Sequence, residues 1–332
     1  MSQQYSHSQP AGTKNRIEKV AIVGAGGNVG KHFADALLQT GKHTVTAITR
    51  ADSKSSPPAG ASVAIVDYDD QSSLVKAMEG HDVLIITLSV FAPAHTEKRL
   101  IDAASTAGVS WVMPNLYGMD PEQVEMQRDI RFQPRYEETL KYIGAKPGLS
   151  MLGLACSYWY EYSLCSTLAF GFDTGKREVI FYDDGNTKIN TSTWPQCGLA
   201  VAKLLSLPIL PENDRDKSLT LDRFRNKFVY ISSFFVSQKD MFASLLRVTG
   251  TKETDWKINY EESKKRWEDG QKELVSGNFM GWKKLMYARV FFPDGCGNYE
   301  AKLHNGLLGL SQENMDACTR DGIVLARTGY GR

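Results

Sequence analysis

At 332 residues, 42% hydrophobic and 23% charged, the chain carries enough apolar material for a substantial core and for one or two domains. Lys and Arg number 39 against 38 Asp and Glu, a formal charge of +1 with no basic block, so nucleic-acid binding through phosphate electrostatics is not indicated. Five scattered cysteines (Cys156, Cys165, Cys197, Cys296, Cys318) form no CxxC pair and no zinc spacing, which points to free thiols in a reducing compartment and to no metal site.

Residues 1–17 are polar, without an apolar core, and read as a disordered lead-in rather than a secretion signal. No apolar run approaches the ~18 residues of a membrane span, so a cytoplasmic protein with no membrane partner is expected. "KVAIVG" reads as a short buried strand. "KHFADALLQT" places Phe33, Ala34, Leu37 and Leu38 on one helical face. "HTVTAITR" is a second strand running into the loop "ADSKSSPPAG", and "ASVAIVDYDD" holds a third. "DQSSLVKAMEG" is a helix, and "HDVLIITLS" a strand apolar throughout, as one buried on both faces must be. "TEKRLIDAASTAG", "VSWVMPN", "RYEETLKYIG" and "LSMLGLAC" continue the alternation as helix, strand, helix and strand. This rhythm predicts a Rossmann-type, doubly wound parallel sheet over 18–156.

Past Cys156 the rhythm changes, and 157–332 reads as a smaller, mostly helical substrate lobe with returning sheet elements. "REVIFYDDGNTKINTST" predicts a hairpin turning at Asp184-Gly185-Asn186. "PQCGLAVAKLLSLP" is a helix stopped by Pro208, and "KFVYISS" a strand. "SQKDMFASLLRVTG" is a helix capped by Ser237 and ended by Gly250, and "YEESKKRWEDGQKEL" a charged surface helix.

The chemistry-bearing signal is "GAGGNVG", with Gly24, Gly27 and Gly30 at GxxGxxG spacing and Gly26 completing a GxG. A strand turning sharply into a helix lets the backbone approach a pyrophosphate, which then faces the positive helix N-terminus at Gly27, Asn28, Val29 and Gly30. Where an NAD site offers an acid to the ribose, the second strand ends in Arg50, with Ser53 and Lys54 close by, which suits a 2′-phosphate and hence NADP(H); Asp52 is the residue that argues for NAD. Asp67 and Tyr68 fall where an adenine edge would lie, or simply begin a loop.

These residues resemble the NmrA-like and isoflavone-reductase-like group of atypical short-chain dehydrogenases. The resemblance runs from about Val20 to Leu285 through "GAGGNVGK", "TR" at 49–50, "VDYDDQSSLVKAMEGHDVLI", "MPNLYGMD", "IFYDDGNTKIN" and "VYISSFFVSQKDMFASLLRVTG". It implies an NADPH-dependent reductase of phenolic compounds or, alternatively, a redox-sensing regulator that binds NADP(H) and a partner protein without catalysis.

Ligands of an open α/β sheet lie beyond the carboxyl ends of its strands. Thr87 and Ser89 are expected along the cofactor's ribose and pyrophosphate, and Phe91 either near the nicotinamide or in the core. Asn115 and Tyr117 fall in the segment that resembles the family's P-S-E-F/Y-G loop beside the nicotinamide; Asn115 replaces its serine and Leu116 its acid. "ACSYWYEY" gives flat aromatic walls suited to an aromatic small-molecule substrate, or to packing between lobes. A Tyr-x-x-x-Lys pair, in which the lysine lowers the tyrosine's pKa, occurs at Tyr142–Lys146 and Tyr260–Lys264, neither on the expected helix. The resemblance also implies a lysine on the helix of "RFQPRYEETLKYI", where this chain has Arg135 or Glu137. A guanidinium is a poor general acid. The proton donor is then expected to be Tyr117, one of Tyr158, Tyr160 and Tyr162, or water, with Arg135 beside it.

Overall fold

The computed structural model describes residues 4–89, 92–164 and 166–328. In the first half β1 (Lys19–Val23), β2 (Thr44–Thr49), β3 (Ser62–Ile65), β4 (Val83–Ile86), β5 (Trp111–Met113) and β6 (Ser150–Ala155) alternate with α1 (Asn28–Gln39), α2 (Gln71–Met78), α3 (Ala94–Thr106), α4 (Val124–Asp129) and α5 (Gln133–Gly144). There follow β7 (Tyr158–Trp159), α6 (Tyr160–Leu164), β8 (Phe172–Asp173), β9 (Glu178–Tyr182), β10 (Lys188–Ser192), α7 (Trp194–Leu205), β11 (Lys227–Tyr230), β12 (Phe234–Ser237) and α8 (Gln238–Thr249). β13 (Lys257–Glu261), α9 (Ser263–Val275), α10 (Met280–Val290) and α11 (Met315–Arg327) complete the described order.

The main sheet has seven parallel strands in the order β11-β6-β5-β4-β1-β2-β3, as parallel strands joined by helical crossovers require. The chain leaves β1 in one direction for β2 and β3, then returns to build β4, β5 and β6 on the other side, so the switch point lies between β1 and β4. One face is covered by α1 and α7, with Phe33, Leu37, Val201 and Leu205 in the core; the other buries Leu74, Met78, Leu100 and Ile143 from α2, α3 and α5. α1 and α7 approach closely because Gly198 lies against the His32 backbone, where a Cβ would overlap it. A separate core in the second half gathers Tyr160, Phe170, Phe172, Tyr182 and Phe291.

Two expectations are corrected. β9 and β10 do not form a hairpin: β9 pairs with β13 and β8, and β10 with β12 and β7. Asp183 and Gly185 both take positive φ and turn the chain into another sheet. The charged helix begins only at Ser263; Tyr260 and Glu261 belong to β13, and Arg266 is buried against Glu261 and the Thr167 carbonyl. The described part of the lead-in runs along 208–212: Ser6 N donates to Pro211 O at 2.9 Å, Asn15 bonds Leu210 at 2.8 and 2.7 Å, and Ile17 is buried. The capped helix matches its expectation: Ser237 and Asp240 form a capping box on α8, and Gly250 ends it at φ 66°.

The loop after β5 is fixed at both ends of its course. Cys156 N and Ser157 N donate to Gly118 O at 2.9 and 2.8 Å, tying it to the end of β6. Asp120, 1% exposed, accepts from Tyr230 Oη at 2.9 Å and Lys302 Nζ at 2.6 Å. Removing one partner of a buried charge leaves the other uncompensated. Lys302→Met is therefore expected to destabilise the fold by about 3 kcal/mol, read as a lowered urea midpoint at neutral pH.

Candidate active site

The glycine turn divides its work among its residues. Gly24 has φ 81°, and a Cβ there would overlap the Thr87 carbonyl; a Cβ at Gly30 would overlap Gly24 O and crowd Thr87 Oγ1. These two glycines let α1 press onto the ends of β1 and β4. Gly27 instead caps α1, donating to Gly24 O at 2.8 Å, and Asn28 stands exposed at the first helical position with Val29 buried behind it. Backbone N–H groups at a helix start, with no side chain in front, form a cradle that fits a pyrophosphate. The Thr87 hydroxyl braces this turn, donating to Val23 O at 2.7 Å and Gly24 O at 3.2 Å, and Ser89 is exposed beyond it.

Arg50 stands at the end of β2 with its guanidinium 5.9 Å from the centre of the Tyr68 ring, and its Nε is 3.4 Å from Asp52. The side chain is 56% exposed, so that pair is weak and the fork remains available to an anion. Ser53 N donates to Arg50 O, and the Ser55–Ser56 segment lies over Gly26, closing the loop against the glycine turn. Asp67 is exposed and caps its own turn through Asp69 N. The structure thus brings Arg50, Ser53, Tyr68 and the glycines together.

Beside β5 lies a network that sequence reasoning missed. Glu97, in the first turn of α3, is 8% exposed. One of its oxygens accepts from Asn115 N at 2.8 Å and the other from Arg135 at 3.2 Å. Arg135 also donates to Asn115 O at 3.1 Å, and Asn115 Nδ2 to Leu88 O at 3.1 Å. The carboxylate absent from position 116 is therefore supplied from α3, and two residues of α5 reach this loop, Arg135 and Tyr136, whose hydroxyl donates to Leu116 O at 3.4 Å. Glu137 bonds Gln133 at the surface. The only signal for Glu97 was an acid at a helix start, which is ordinary on exposed helices. Tyr117 lies on the other side of the loop, its ring 5.2 Å from Phe33. Its hydroxyl is buried with no hydrogen-bond partner among the described residues, and burial, then the Glu97 carboxylate, hold its pKa well above the usual phenol range.

The aromatic segment after β6 splits between two cores. Tyr158 is a correction: its hydroxyl donates to Met286 O at 2.9 Å and lies against Met119 Sδ, in the second core and away from Tyr117. Tyr160 likewise bonds Thr319. Trp159 and Tyr162 turn back toward Trp194, with rings 6.0 and 6.3 Å away, and Trp194 stacks on His32 of α1 at 6.1 Å. Trp159 Nε1 is buried with no hydrogen-bond partner among the described residues. Phe91 lies outside the described residues.

Both Tyr-x-x-x-Lys spacings lie away from the glycine turn. Tyr142 and Lys146 do meet, but around Asp102 at 2.8 and 2.5 Å, where burial and that acid raise the tyrosine's pKa instead of lowering it. They sit at the C-terminal end of α5, the amino edge of the sheet. Tyr260 is 63% exposed.

A glycine cradle at the switch point of a parallel sheet, with a cation at the end of the second strand, defines a dinucleotide-binding α/β protein. Residues 16–136 match the family described as the NmrA-like family. That match takes in the glycine turn, Arg50, Glu97, Asn115 and Arg135. The chain is 29% identical to the oxidoreductase aprR of Aspergillus flavus over 306 residues, 90% of this chain and 96% of that protein. Among solved structures it superposes on AtPrR2 with NADP+ and (+)-pinoresinol at a TM-score of 0.71 and 21% identity, covering 93% of this chain and 99% of that one. The leucoanthocyanidin reductase–NADPH complex of Vitis vinifera gives 0.72 at 15% identity, covering 92% and 99%. These two show the fold, and the nucleotide bound in each is the expected one, NADP(H).

Two outcomes follow from the turn. Gly27→Val is expected to fold and lose NADPH binding by calorimetry, whereas Gly30→Val, which collides with Gly24 and Thr87, is expected to lose the cooperative unfolding transition itself. For Arg50, a charge-assisted contact is worth about 1.5–3 kcal/mol, so NADPH should bind about 10- to 150-fold tighter than NADH, and Arg50→Ala should erase most of that ratio.

Proposed function

We propose that this protein is a cytosolic NADP(H)-dependent reductase acting on a small, neutral, aromatic carbonyl or conjugated alkene. The observation that carries the reading is two buried donors with no partner among the described residues, Tyr117 Oη and Trp159 Nε1. They reach adjacent residues of α1, Tyr117 on Phe33 directly and Trp159 on His32 through Trp194. A buried donor left unpaired costs about 1–3 kcal/mol, which a ligand oxygen placed between aromatic walls recovers. The cation beside the loop after β5, Arg135, is already matched by Glu97, so that side does not favour a carboxylate substrate. The bound nicotinamide would supply the hydride. Tyr117, held protonated by its burial, would donate a hydrogen bond to the carbonyl oxygen on which charge develops. Four cysteines, Cys156, Cys197, Cys296 and Cys318, are free thiols, in keeping with a reducing compartment, and among the described residues no helix is long and apolar enough to cross a membrane.

A second reading, an NADP(H)-responsive regulator that binds a partner protein, is favoured by one feature: the lysine position is filled by Arg135 and locked to Glu97. NADPH consumption with aromatic ketones, enones and quinones separates the two. Turnover that falls about 10²-fold in Tyr117→Phe supports the reductase. Tight NADPH binding with silence across the panel supports the regulator.

A further inference from the structure

Neither hydride delivery nor substrate anchoring uses Glu161, a carboxyl buried to 7% exposure in the segment that follows β6. We propose that Glu161 is the proton donor of the reduction, its carboxyl facing the nicotinamide end of the cofactor site and serving in place of the lysine missing from α5; this rests on the reductase reading above. One carboxyl oxygen accepts from Trp194 N at 2.7 Å, which fixes the side chain at the start of α7. α7 runs beside α1 in the same direction: Trp194 stacks on His32 at its start, and Ser206, just past its end, bonds His43 after α1. Its start therefore lies at the carboxyl edge of the sheet, as the glycine turn does. Trp159 and Tyr162 close around Trp194, and α11 seals the far side, where a Cβ on Gly322 would lie 3.5 Å from the Glu161 backbone.

The surroundings suit an acid that keeps its proton near neutrality. From the segment before α11, Glu313 accepts from Thr193 Oγ1 at 2.8 and 3.0 Å; from α11 come Asp321 and the Cys318 thiol, and from α7 the Cys197 thiol. Burial first, then the Glu313 and Asp321 charges, push the Glu161 carboxyl up to about 7, against the N–H bonds that lower it. In the step itself the electrophilic carbon of the substrate gains the hydride with its two electrons, and the C=O π pair moves to oxygen. That oxygen takes the proton as the O–H bond of the Glu161 carboxyl breaks, and solvent returns a proton to the carboxylate. A donor with a pKa near the working pH is the most effective kind.

The test uses the full chain and does not depend on turnover. Calorimetric affinities for NADP+ and NADPH are measured at pH 6 and pH 8, and their ratio cancels the titration of the shared 2′-phosphate. Above its pKa the Glu161 carboxylate attracts the cationic oxidised ring and is indifferent to the neutral reduced one. The NADP+ to NADPH affinity ratio should therefore rise about 5-fold or more from pH 6 to pH 8. In Glu161→Gln, which keeps an acceptor for Trp194 N, the ratio should stay flat at its pH 6 value, and turnover of a chalcone or menadione should fall about 10² to 10⁴-fold. Should that variant not fold, Glu313→Gln replaces it: removing a neighbouring negative charge lowers the Glu161 pKa and moves the rise to lower pH. A pH-independent ratio in the wild type, or full turnover in a folded Glu161→Gln, overturns the proton donor and leaves the reductase standing. Failure to bind either nucleotide overturns both.

Discussion

The carboxyl edge of this protein depends on how closely α1 can approach the ends of β1 and β4. That contact exists because Gly24 and Gly30 carry no Cβ where the Thr87 and Gly24 carbonyls come nearest, and the Thr87 hydroxyl then bonds Val23 O across it. Moved outward by one methyl group, α1 would take Phe33 away from Tyr117 and His32 away from Trp194. The anion cradle and the aromatic shell are thus two faces of one helix, positioned by one packing constraint. Gly198 repeats the device on the next interface, letting α7 follow α1 closely enough for Trp194 to complete the shell.

Charge is placed around this edge in matched sets. On the α3–α5 side, Glu97 and Arg135 neutralise each other and between them hold the backbone of Asn115, so the loop after β5 is pinned without leaving a bare charge beside the ligand. Lower down, Asp120 and Lys302 join the same loop to the C-terminal region. On the α7 side the balance is acidic, with Glu161 buried, Glu313 half-buried near it and Asp321 at the exposed rim. Like charges removed from water cannot all stay ionised, and the cheapest relief is for one carboxyl to keep its proton. An acidic side and a compensated side suit a neutral substrate between them, and they put the labile proton where the missing lysine's role would otherwise be vacant.

The parts legible in the sequence were those written in neighbouring residues. The alternation of short apolar strands with amphipathic helices, the glycine turn, Arg50 at a strand end, and the Ser237 and Gly250 caps all depend on contacts within a few positions, so spacing alone reveals them. The parts that were not legible depend on partners distant in the chain. Glu97 reads as an ordinary surface acid until Asn115 and Arg135 fold against it, and Glu161 as one letter in an aromatic run until Trp194 binds it. The hairpin at Asp184-Gly185-Asn186 failed for the same reason: its turn residues are right, but a strand's partner is chosen by which edge buries it, and β9 and β10 find theirs in different sheets.

The sequence by itself determined a parallel Rossmann-type sheet with an NADP(H)-suited turn, because backbone sterics and helix periodicity act locally. It also left Tyr117, one of Tyr158, Tyr160 and Tyr162, or water as alternatives for the proton, with Arg135 beside them. Tertiary structure set them in different surroundings: it sent Tyr158 and Tyr160 into a second core, locked Arg135 to an acid, left the Tyr117 hydroxyl without a partner among the described residues, and raised the pKa of a glutamate. A side chain's proton affinity and its free hydrogen-bonding capacity are properties of what surrounds it, and those surroundings exist only once the chain has closed.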